Sequence, residues 1–293
     1  MSKITVTTIA GLTSGGDANT VKIESGDAFN VVSGATTLGG DLTVDTTTLK
    51  VDSSNNRVGM GTASPSRQVM ISRSIADGSG ELGIVSSDSS TSGALGNIHF
   101  GNSTDTSLAS IRATADGATD SAKLEFNTEK TGAAIETAMR IDSNGRVTMP
   151  YQPMCFVTRI SEQTGISSQS SSPTVLVLNT PIFNVGNHYN DVNGRWTAPV
   201  AGKYEFSWSY ATKTGQAGIY RTFLWKNGSI LNYTQLRNDS SGNSSPYNFA
   251  SRTAILDLAA NDYVILQGSI DGSPSVWYSD SQLRTVLTVR LIA

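Results

Sequence analysis

The sequence is poor in the side chains that most often perform catalysis. Its two histidines, His99 and His188, are far apart in the chain, whereas a Ser–His–Asp or Cys–His nucleophile needs its base within hydrogen-bond reach. Cys155 is the only cysteine, so neither an intrachain disulfide nor a zinc site with four cysteine and histidine ligands can form. We expect both histidines to be structural and Cys155 to be a small buried apolar residue.

Carboxylates are more plentiful, and a pair of them at a set separation could hydrolyse a glycan. The aspartates of the C-terminal half that are available for such a pair are Asp239, Asp257, Asp262, Asp271 and Asp280. Each lies at or beside a predicted turn, where aspartate usually bonds to the backbone. Glycine-rich phosphate-binding motifs and EF-hand loops are missing. The sequence therefore predicts a protein that is not an enzyme and has no cofactor and no dedicated metal site.

The composition argues against two further classes of function. The net charge is -3 and charged residues make up 15% of the 293 residues, which predicts no basic surface for nucleic acid. No apolar run approaches the roughly 20 residues of a membrane span, so we expect no membrane insertion. The first residues also lack the apolar core of a signal peptide. We therefore expect synthesis in a cytoplasm and release by a route other than secretion.

The two halves of the chain differ in what they can bury. The sequence contains 9 Tyr, 8 Phe and 4 Trp, yet only Phe29, Phe100 and Phe126 precede residue 151. Large aromatic side chains supply much of the apolar area of a small core, and a segment with little to bury does not fold alone. We therefore expect identical copies of the chain to order the first half.

A strand–turn–strand unit occurs twice in this first half. Residues 49–60 (LKVDSSNNRVGM) return in similar form as residues 139–149 (MRIDSNGRVTM), in which Asn144-Gly145 favours a tight hairpin. A related short strand is expected over residues 39–44. Further short strands are predicted over residues 83–85, 97–100, 110–113 and 123–126, with at most a short helix over residues 133–139. The two units resemble the shafts of phage tail fibres, and residues 98–128 resemble the strand-rich domain that lies between such units.

The C-terminal half predicts longer and more aromatic strands. In residues 204–210 (YEFSWSY) four aromatic residues alternate with polar ones, which places all four on one face of a strand. Asn227-Gly228 is a strong hairpin signal, and the apolar run 263–266 is typical of a strand covered on both faces. Many short strands without helices predict a β-sandwich or jelly roll.

One motif of this half is more specific. It consists of residues 194–206 (GRWTAPVAGKYEF), followed by Lys226-Asn227-Gly228, with Asn261 where glycine is usual. This pattern resembles the signature of the C1q/TNF-like superfamily, and the resemblance implies a compact homotrimer around a threefold axis. It leaves open whether an ion lies on that axis. The residues that carry the resemblance are Phe183, Tyr189, Trp196, Pro199, Gly202, Tyr204, Phe206, Asn227 and Gly228.

The expected fold is an all-β homotrimer in three parts. Residues 1–65 form a virion-proximal β-repeat or shaft region, residues 66–150 a central strand-rich domain, and residues 151–293 a C1q/TNF-like jelly-roll head. The two resemblances together predict a receptor-binding tail fibre of a bacteriophage, assembled in the host bacterial cytoplasm and carried on the virion. Its N-terminal region would dock on other tail or virion proteins, and its head would bind a bacterial cell-surface glycan or protein.

Loops on a rigid β-scaffold usually carry function. The expected receptor contacts therefore lie in two polar loop segments of the head, residues 237–248 and residues 271–274 with Trp277 and Tyr278. The candidate residues are Asn238, Asp239, Asn243, Tyr247, Asp271, Trp277 and Tyr278. Two other functions stay open at this point. One is a decoration protein of the capsid or baseplate, and the other is a tail spike that degrades surface glycan.

Overall fold

The protein is all-β, as predicted. The computed structural model describes residues 42–44, 48–72, 81–87, 89–211, 217–241, 249–272, 276–277 and 285–293. Within these ranges the one helical element is a single 3-10 turn, Asn232–Thr234. The chain divides into two compact units, residues 1–83 and residues 84–293.

The first unit contains a four-stranded sheet. Its strands are β1 (Leu42–Val44), β2 (Leu49–Asp52), β3 (Arg57–Met60) and β4 (Val69–Ile71). Strands β2 and β3 form the predicted hairpin, and its turn is closed by Asn56 at a φ of 52°. Strand β4 pairs with β3 in parallel. The strand expected over residues 39–44 is seen over its last three residues, while residues 39–41 lie outside the described residues.

The second unit begins with an antiparallel sheet of five strands in sequential order, which we call the central sheet. Its strands are β5 (Ala94–Phe100), β6 (Ala109–Ala115), β7 (Ala122–Glu129), β8 (Ile135–Ile141) and β9 (Val147–Thr148). The predicted hairpin at Asn144-Gly145 is confirmed, because β8 and β9 pair around it and Gly145 has a φ of 77°.

At most a short helix was expected over residues 133–139, and the structure has none there, because residues 135–141 pair with β7 as strand β8. The strand expected over residues 83–85 was wrong, because these residues have no regular structure. The side chain of Ile84 lies over Gly96 instead, where a Cβ atom on the glycine would be only 2.7 Å from Ile84 Cγ2.

The two faces of the central sheet differ in chemistry. One face carries an apolar row across four strands, in which Ile98 pairs with Ile111, Ile111 with Phe126, and Phe126 with Met139. The opposite face carries a polar row in the adjacent register. Its members, from β5 to β8, are His99, Ser110, Asn127 and Thr137. In the part of the chain that the structure describes, no second sheet packs against either face.

The rest of the second unit is a two-sheet sandwich. Its first sheet contains β10 (Met154–Arg159), β13 (Thr180–Val185), β16 (Gly202–Ala211), β20 (Phe249–Leu258) and β23 (Thr285–Leu291). The remaining strands are β11 (Gln163–Thr164), β12 (Thr174–Val175), β14 (Tyr189–Asn190), β15 (Arg195–Thr197), β17 (Ala217–Lys226), β18 (Ser229–Ile230), β19 (Leu236–Ser241), β21 (Tyr263–Gly272) and β22 (Val276–Trp277). The strand order of the first sheet is β13-β10-β23-β16-β20, and that of the second is β14-β15-β21-β17-β18. Strands β12 and β19 add to the second sheet, and β11 pairs with β22.

The core of the sandwich is built on strand β16. Its four alternating aromatic residues are all buried, which confirms the predicted single face; they are Tyr204, Phe206, Trp208 and Tyr210. The indole Nε1 of Trp208 donates to Thr222 Oγ1 of the facing sheet at 2.9 Å. The prediction that residues 263–266 are covered on both faces was wrong. Val264 and Leu266 are buried, whereas the ring of Tyr263 is half-buried and lies under the guanidinium of Arg195.

Candidate binding site

The motif residues of strand β15 and its neighbours form one end of the sandwich core. Trp196 is fully buried, and its ring meets those of Tyr204 and His188 edge to face at centroid distances of 6.2 and 5.7 Å. Burial lowers the pKa of His188, so this histidine is neutral near pH 7. Its packing is that of a structural residue.

The other motif residues fix the backbone around this cluster. A Cβ atom at Gly202 would lie 2.5 Å from the carbonyl oxygen of Ala293, so only glycine fits where the last residues cross β16. Tyr204 donates from its hydroxyl to the carbonyl of Val200 at 2.8 Å, and Phe206 is fully buried beside it. Pro199 is half-buried in the turn that leads into the strand.

Phe183 and Tyr189 have different environments although both belong to the motif. Tyr189 is buried, and its hydroxyl accepts the N–H of Leu178 at 3.1 Å. Phe183 is 44% exposed on the outer surface of the first sheet. Its ring meets that of Phe156 edge to face at 6.1 Å. Phe183 therefore belongs to a surface of the single chain, which sequence reasoning did not distinguish from the core.

The Asn227-Gly228 turn is held to the neighbouring turn between β20 and β21. Both residues have positive φ, 51° and 82°, as a tight two-residue hairpin requires. The amide of Asn227 donates to Asp262 Oδ1 at 2.7 Å and accepts the N–H of Tyr263 at 2.9 Å. Hydrogen bonds from Lys226 and Asn227 lower the pKa of Asp262 to about 2. Asn261, which replaces a usual glycine, has a φ of 70°, a conformation that asparagine tolerates better than most residues.

The first predicted contact segment is partly a strand. Residues 237–241 were expected in a loop, but they pair with β17 as part of β19, because the alternating side chains suit the open edge of that strand. Asn238 lies on the inner side of β19, and its Nδ2 atom is buried without a hydrogen-bond partner. Asp239 is exposed on the outer side. Asn243 and Tyr247 lie outside the described residues.

The second predicted segment also needs a correction. Trp277 is not a loop residue, because it belongs to β22 and is buried. Its ring lies 4.7 Å from that of Tyr210 and 5.8 Å from that of Tyr220, so its large apolar area covers the core. Asp271 is exposed at the end of β21. Tyr278 lies outside the described residues.

The fold brings Asp239 and Asp271 to the same end of the second sheet, since each pairs with Ile219 from the opposite side. In the next row, Arg221 pairs with Arg237. Arg237 donates to both carboxylate oxygens of Asp239 at 3.0 and 3.1 Å, which lowers the pKa of Asp239. Arg221 lies 3.9 Å from Asp271. We call these four charged residues the end patch. Sequence reasoning placed Arg237 in the first contact segment without naming it as a contact, and it missed Arg221, because the pairing of the two arginines depends on strand register.

Among the described residues we looked for groups that could bind a metal ion or act as a nucleophile. No group of three His, Cys, Asp or Glu residues among them could hold a metal ion. Burial raises the pKa of Cys155 to about 12, so its thiol stays protonated at neutral pH and is a poor nucleophile. The expectation that Cys155 is a buried apolar residue is confirmed. No helix within the described ranges is long and apolar enough to cross a membrane.

Comparisons with known proteins identify the sandwich. The C1q domain family model matches residues 156–288. The globular domain of zebrafish complement 1qA protein is 18% identical, with a TM-score of 0.34, covering 48% of this chain and 98% of that one. Murine APRIL is 13% identical, with a TM-score of 0.36, covering 48% of this chain and 99% of that one. The C-terminal part of this chain is a C1q-like domain, a class that is usually trimeric and generally serves in binding rather than catalysis.

Proposed function

We propose that this chain is the homotrimeric subunit of a bacteriophage tail fibre or spike, and that its C1q-like head contacts the host surface. Its N-terminal region docks on other virion proteins, and the head binds a bacterial cell-surface glycan or protein. The observation that carries the proposal is the uncovered apolar face of the central sheet. There Phe100 is 53% exposed, whereas Ser110 and Asn127 on the polar face are 5% and 9% exposed.

The exposure of this apolar face argues for several copies. In one chain, the apolar row of Ile98, Ile111, Phe126 and Met139 has no second layer to cover it among the described residues. Apolar area left in water costs about 25 cal/mol per Å². A closed arrangement of identical subunits turns such faces toward each other and removes them from water. Three copies are the number that a C1q-like head favours.

The first sheet of the head has a similar open face. Phe183 and Ile255 are 44% and 56% exposed on it, and small polar residues of β16 and β23 lie between them. A shallow cavity of about 450 Å³ occupies the middle of this face. One ion pair crosses it, from Arg290 to Glu205 at 2.9 Å. Faces of this kind are suited to contact between copies rather than to solvent.

The fibre context rests on the two hairpin units. In the first, Asp52 Oδ1 accepts the N–H of Asn55 at 3.1 Å. In the second, Asp142 Oδ1 accepts the N–H groups of Asn144 and Arg146 at 3.0 and 2.9 Å. Both units thus use an aspartate at the end of the first strand to fix the turn. Units that recur along a chain and leave an apolar face open suit a shaft built from parallel copies.

In this proposal the head contacts the host through the end patch, which lies where strand β17 begins. The end patch holds two arginines and two aspartates close together, so it can both donate hydrogen bonds to a polar ligand and accept them from it. Loops next to such a rigid sheet end are the usual position for recognition.

Two measurements test the proposal. Light scattering of the purified full chain is expected to give three times the chain mass of 30.9 kDa; a stable single-copy species would contradict it. Phage particles that lack the protein are expected to stay intact and to fail in adsorption. Fragile particles that still adsorb would instead favour a decoration protein of the capsid or baseplate.

A further inference from the structure

The polar face of the central sheet contains a small concave site to which the proposed function assigns no role. The cavity has a volume of about 210 Å³. Side chains of four adjacent strands and of the loop between β5 and β6 line it. They are Asn97, His99, Ser107, Ser110, Arg112, Asn127, Ile135 and Thr137.

The floor of the cavity is a fixed chain of hydrogen bonds. Thr137 Oγ1 donates to Asn127 Oδ1 at 2.8 Å, and Asn127 Nδ2 donates to Ser110 Oγ at 3.0 Å. Ser110 and Asn127 are both buried. Because each group positions the next, the floor is set before any ligand arrives, which lowers the entropic cost of binding.

The rim, by contrast, carries side chains whose hydrogen-bonding capacity is unused. Among the described residues, no hydrogen bond or ion pair engages the side chains of Asn97, His99 or Arg112. Glu125 pairs with Arg112 across the strands, but its carboxylate accepts the hydroxyl of Thr114 at 3.3 Å and makes no ion pair with the arginine. Arg112 therefore keeps its full positive charge and up to five N–H donors for a ligand.

We propose that this cavity binds an acidic saccharide, with the sugar carboxylate on Arg112 and ring hydroxyls on Asn97 and His99. A single arginine supplies the one planar, two-pronged contact that a carboxylate needs. Apart from Ile135, the remaining lining is polar. It extends over neighbouring strands about 4.8 Å apart, so it matches the spread hydroxyls of a sugar ring better than a compact ion. The volume is below that of typical drug-sized pockets and suits one sugar unit.

This inference rests on the proposed fibre in one respect. If the apolar face of the central sheet is turned toward the partner copies, then the polar face points outward and the cavity is open to the host surface. A trimer would present three such cavities, one on each copy. Three weak sites on one trimer gain avidity when they engage the same polysaccharide.

Saturation-transfer NMR on the full chain tests the site with galacturonic acid, glucuronic acid and N-acetylneuraminic acid, and with galactose and glucose as neutral partners. We expect transfer to at least one acidic sugar and weaker transfer to its neutral partner. Arg112→Gln should weaken that binding about tenfold, the size of a lost charge-assisted hydrogen bond. Arg140→Gln is the matched control, because Arg140 lies on the same face, pairs with Glu125 and does not line the cavity.

The opposite results would overturn the assignment. They are no transfer to any acidic sugar, binding that survives Arg112→Gln, or equal loss in the Arg140→Gln control. Inorganic phosphate that displaces the sugar at equal concentration would also overturn it, since the site would then be a plain anion site. Light scattering on each variant keeps this outcome separate from failure of the fibre proposal, because loss of binding with the trimer mass intact concerns the cavity alone.

Discussion

The central sheet and the C-terminal sandwich are made of similar antiparallel strands, yet they bury their apolar residues differently. In the sandwich, the second sheet of the same chain covers β16, and Trp208 is fully buried. In the central sheet, Phe126 occupies the middle of the apolar row and is only half-buried. Secondary structure alone therefore does not decide whether a β-region is complete within one chain.

The difference arises from the supply of large side chains. Strand β16 alone carries four aromatic residues, whereas the central sheet has Phe100 and Phe126 over its whole extent. A sheet with so little to bury gains little from a second layer of its own. In the proposed trimer it would gain more from contact between the apolar faces of several copies, and its stability would then depend on protein concentration.

The largest expected effect lies in the sandwich. Trp196→Ala should lower the free energy of unfolding by about 3–5 kcal/mol, because it leaves a large cavity in a core that is closed within the chain. Urea unfolding followed by circular dichroism measures it. The control Tyr233→Ala removes a ring that is 65% exposed and should change stability by no more than about 0.5 kcal/mol. Similar losses in the two variants would contradict a core that depends on Trp196.

A smaller effect, on the association of chains, is expected in the central sheet. Phe100→Ser should weaken association by about 1.5–3 kcal/mol per chain, the cost of losing a buried phenylalanine. Light scattering over a dilution series should show chains that separate at higher concentration than in the wild type. His99→Ser changes the next residue, which is also exposed but lies on the polar face. Equal dissociation in both variants would mean that the apolar face is not an interface.

Much of this architecture could be predicted from local sequence. The alternation in residues 204–210, the hairpin at Asn227-Gly228 and the repeated turn at Asn144-Gly145 depend on neighbours in the chain, and the structure confirms each of them. The end of strand β8 was predicted as part of the second hairpin unit, but its start was missed, because residues 133–139 lack strong alternation at their start and pairing with β7 decides their conformation. Trp277 was misplaced because a tryptophan beside polar turn residues resembles a surface anchor until the core is assembled.

The candidate binding surfaces were harder to predict from the sequence than the strands and turns. Asp239 and Asp271 were chosen separately, and only strand register brings them to either side of Ile219. The cavity of the central sheet depends on the same kind of information, because His99, Ser110, Asn127 and Thr137 become neighbours only through pairing. Such sites are defined across strands, and a single sequence carries no direct record of register.

The smallest expected effect concerns a feature that the two regions share, an aspartate that fixes a turn. Hydrogen bonds from Lys226 and Asn227 lower the pKa of Asp262 to about 2, from a usual value of 3.8. Hydrogen bonds from Arg146 likewise lower the pKa of Asp142 in the central sheet. A carboxylate with a lowered pKa in the folded state stabilises that state fully above its ordinary pKa, and this contribution is lost as the pH falls toward the folded value.

The urea midpoint of the sandwich should therefore fall between about pH 4 and pH 2 in the wild type, and it should fall less in Asp262→Asn. That variant has already lost the ionic contribution at pH 7, so the two proteins should converge in acid. Asp257→Asn is the control, since its carboxylate is exposed and lies 3.9 Å from Lys203. If Asp262→Asn followed the wild-type pH profile in parallel, the turn would not depend on the charge of Asp262. The two regions would then share no charge-dependent turn, and they would differ in burial alone.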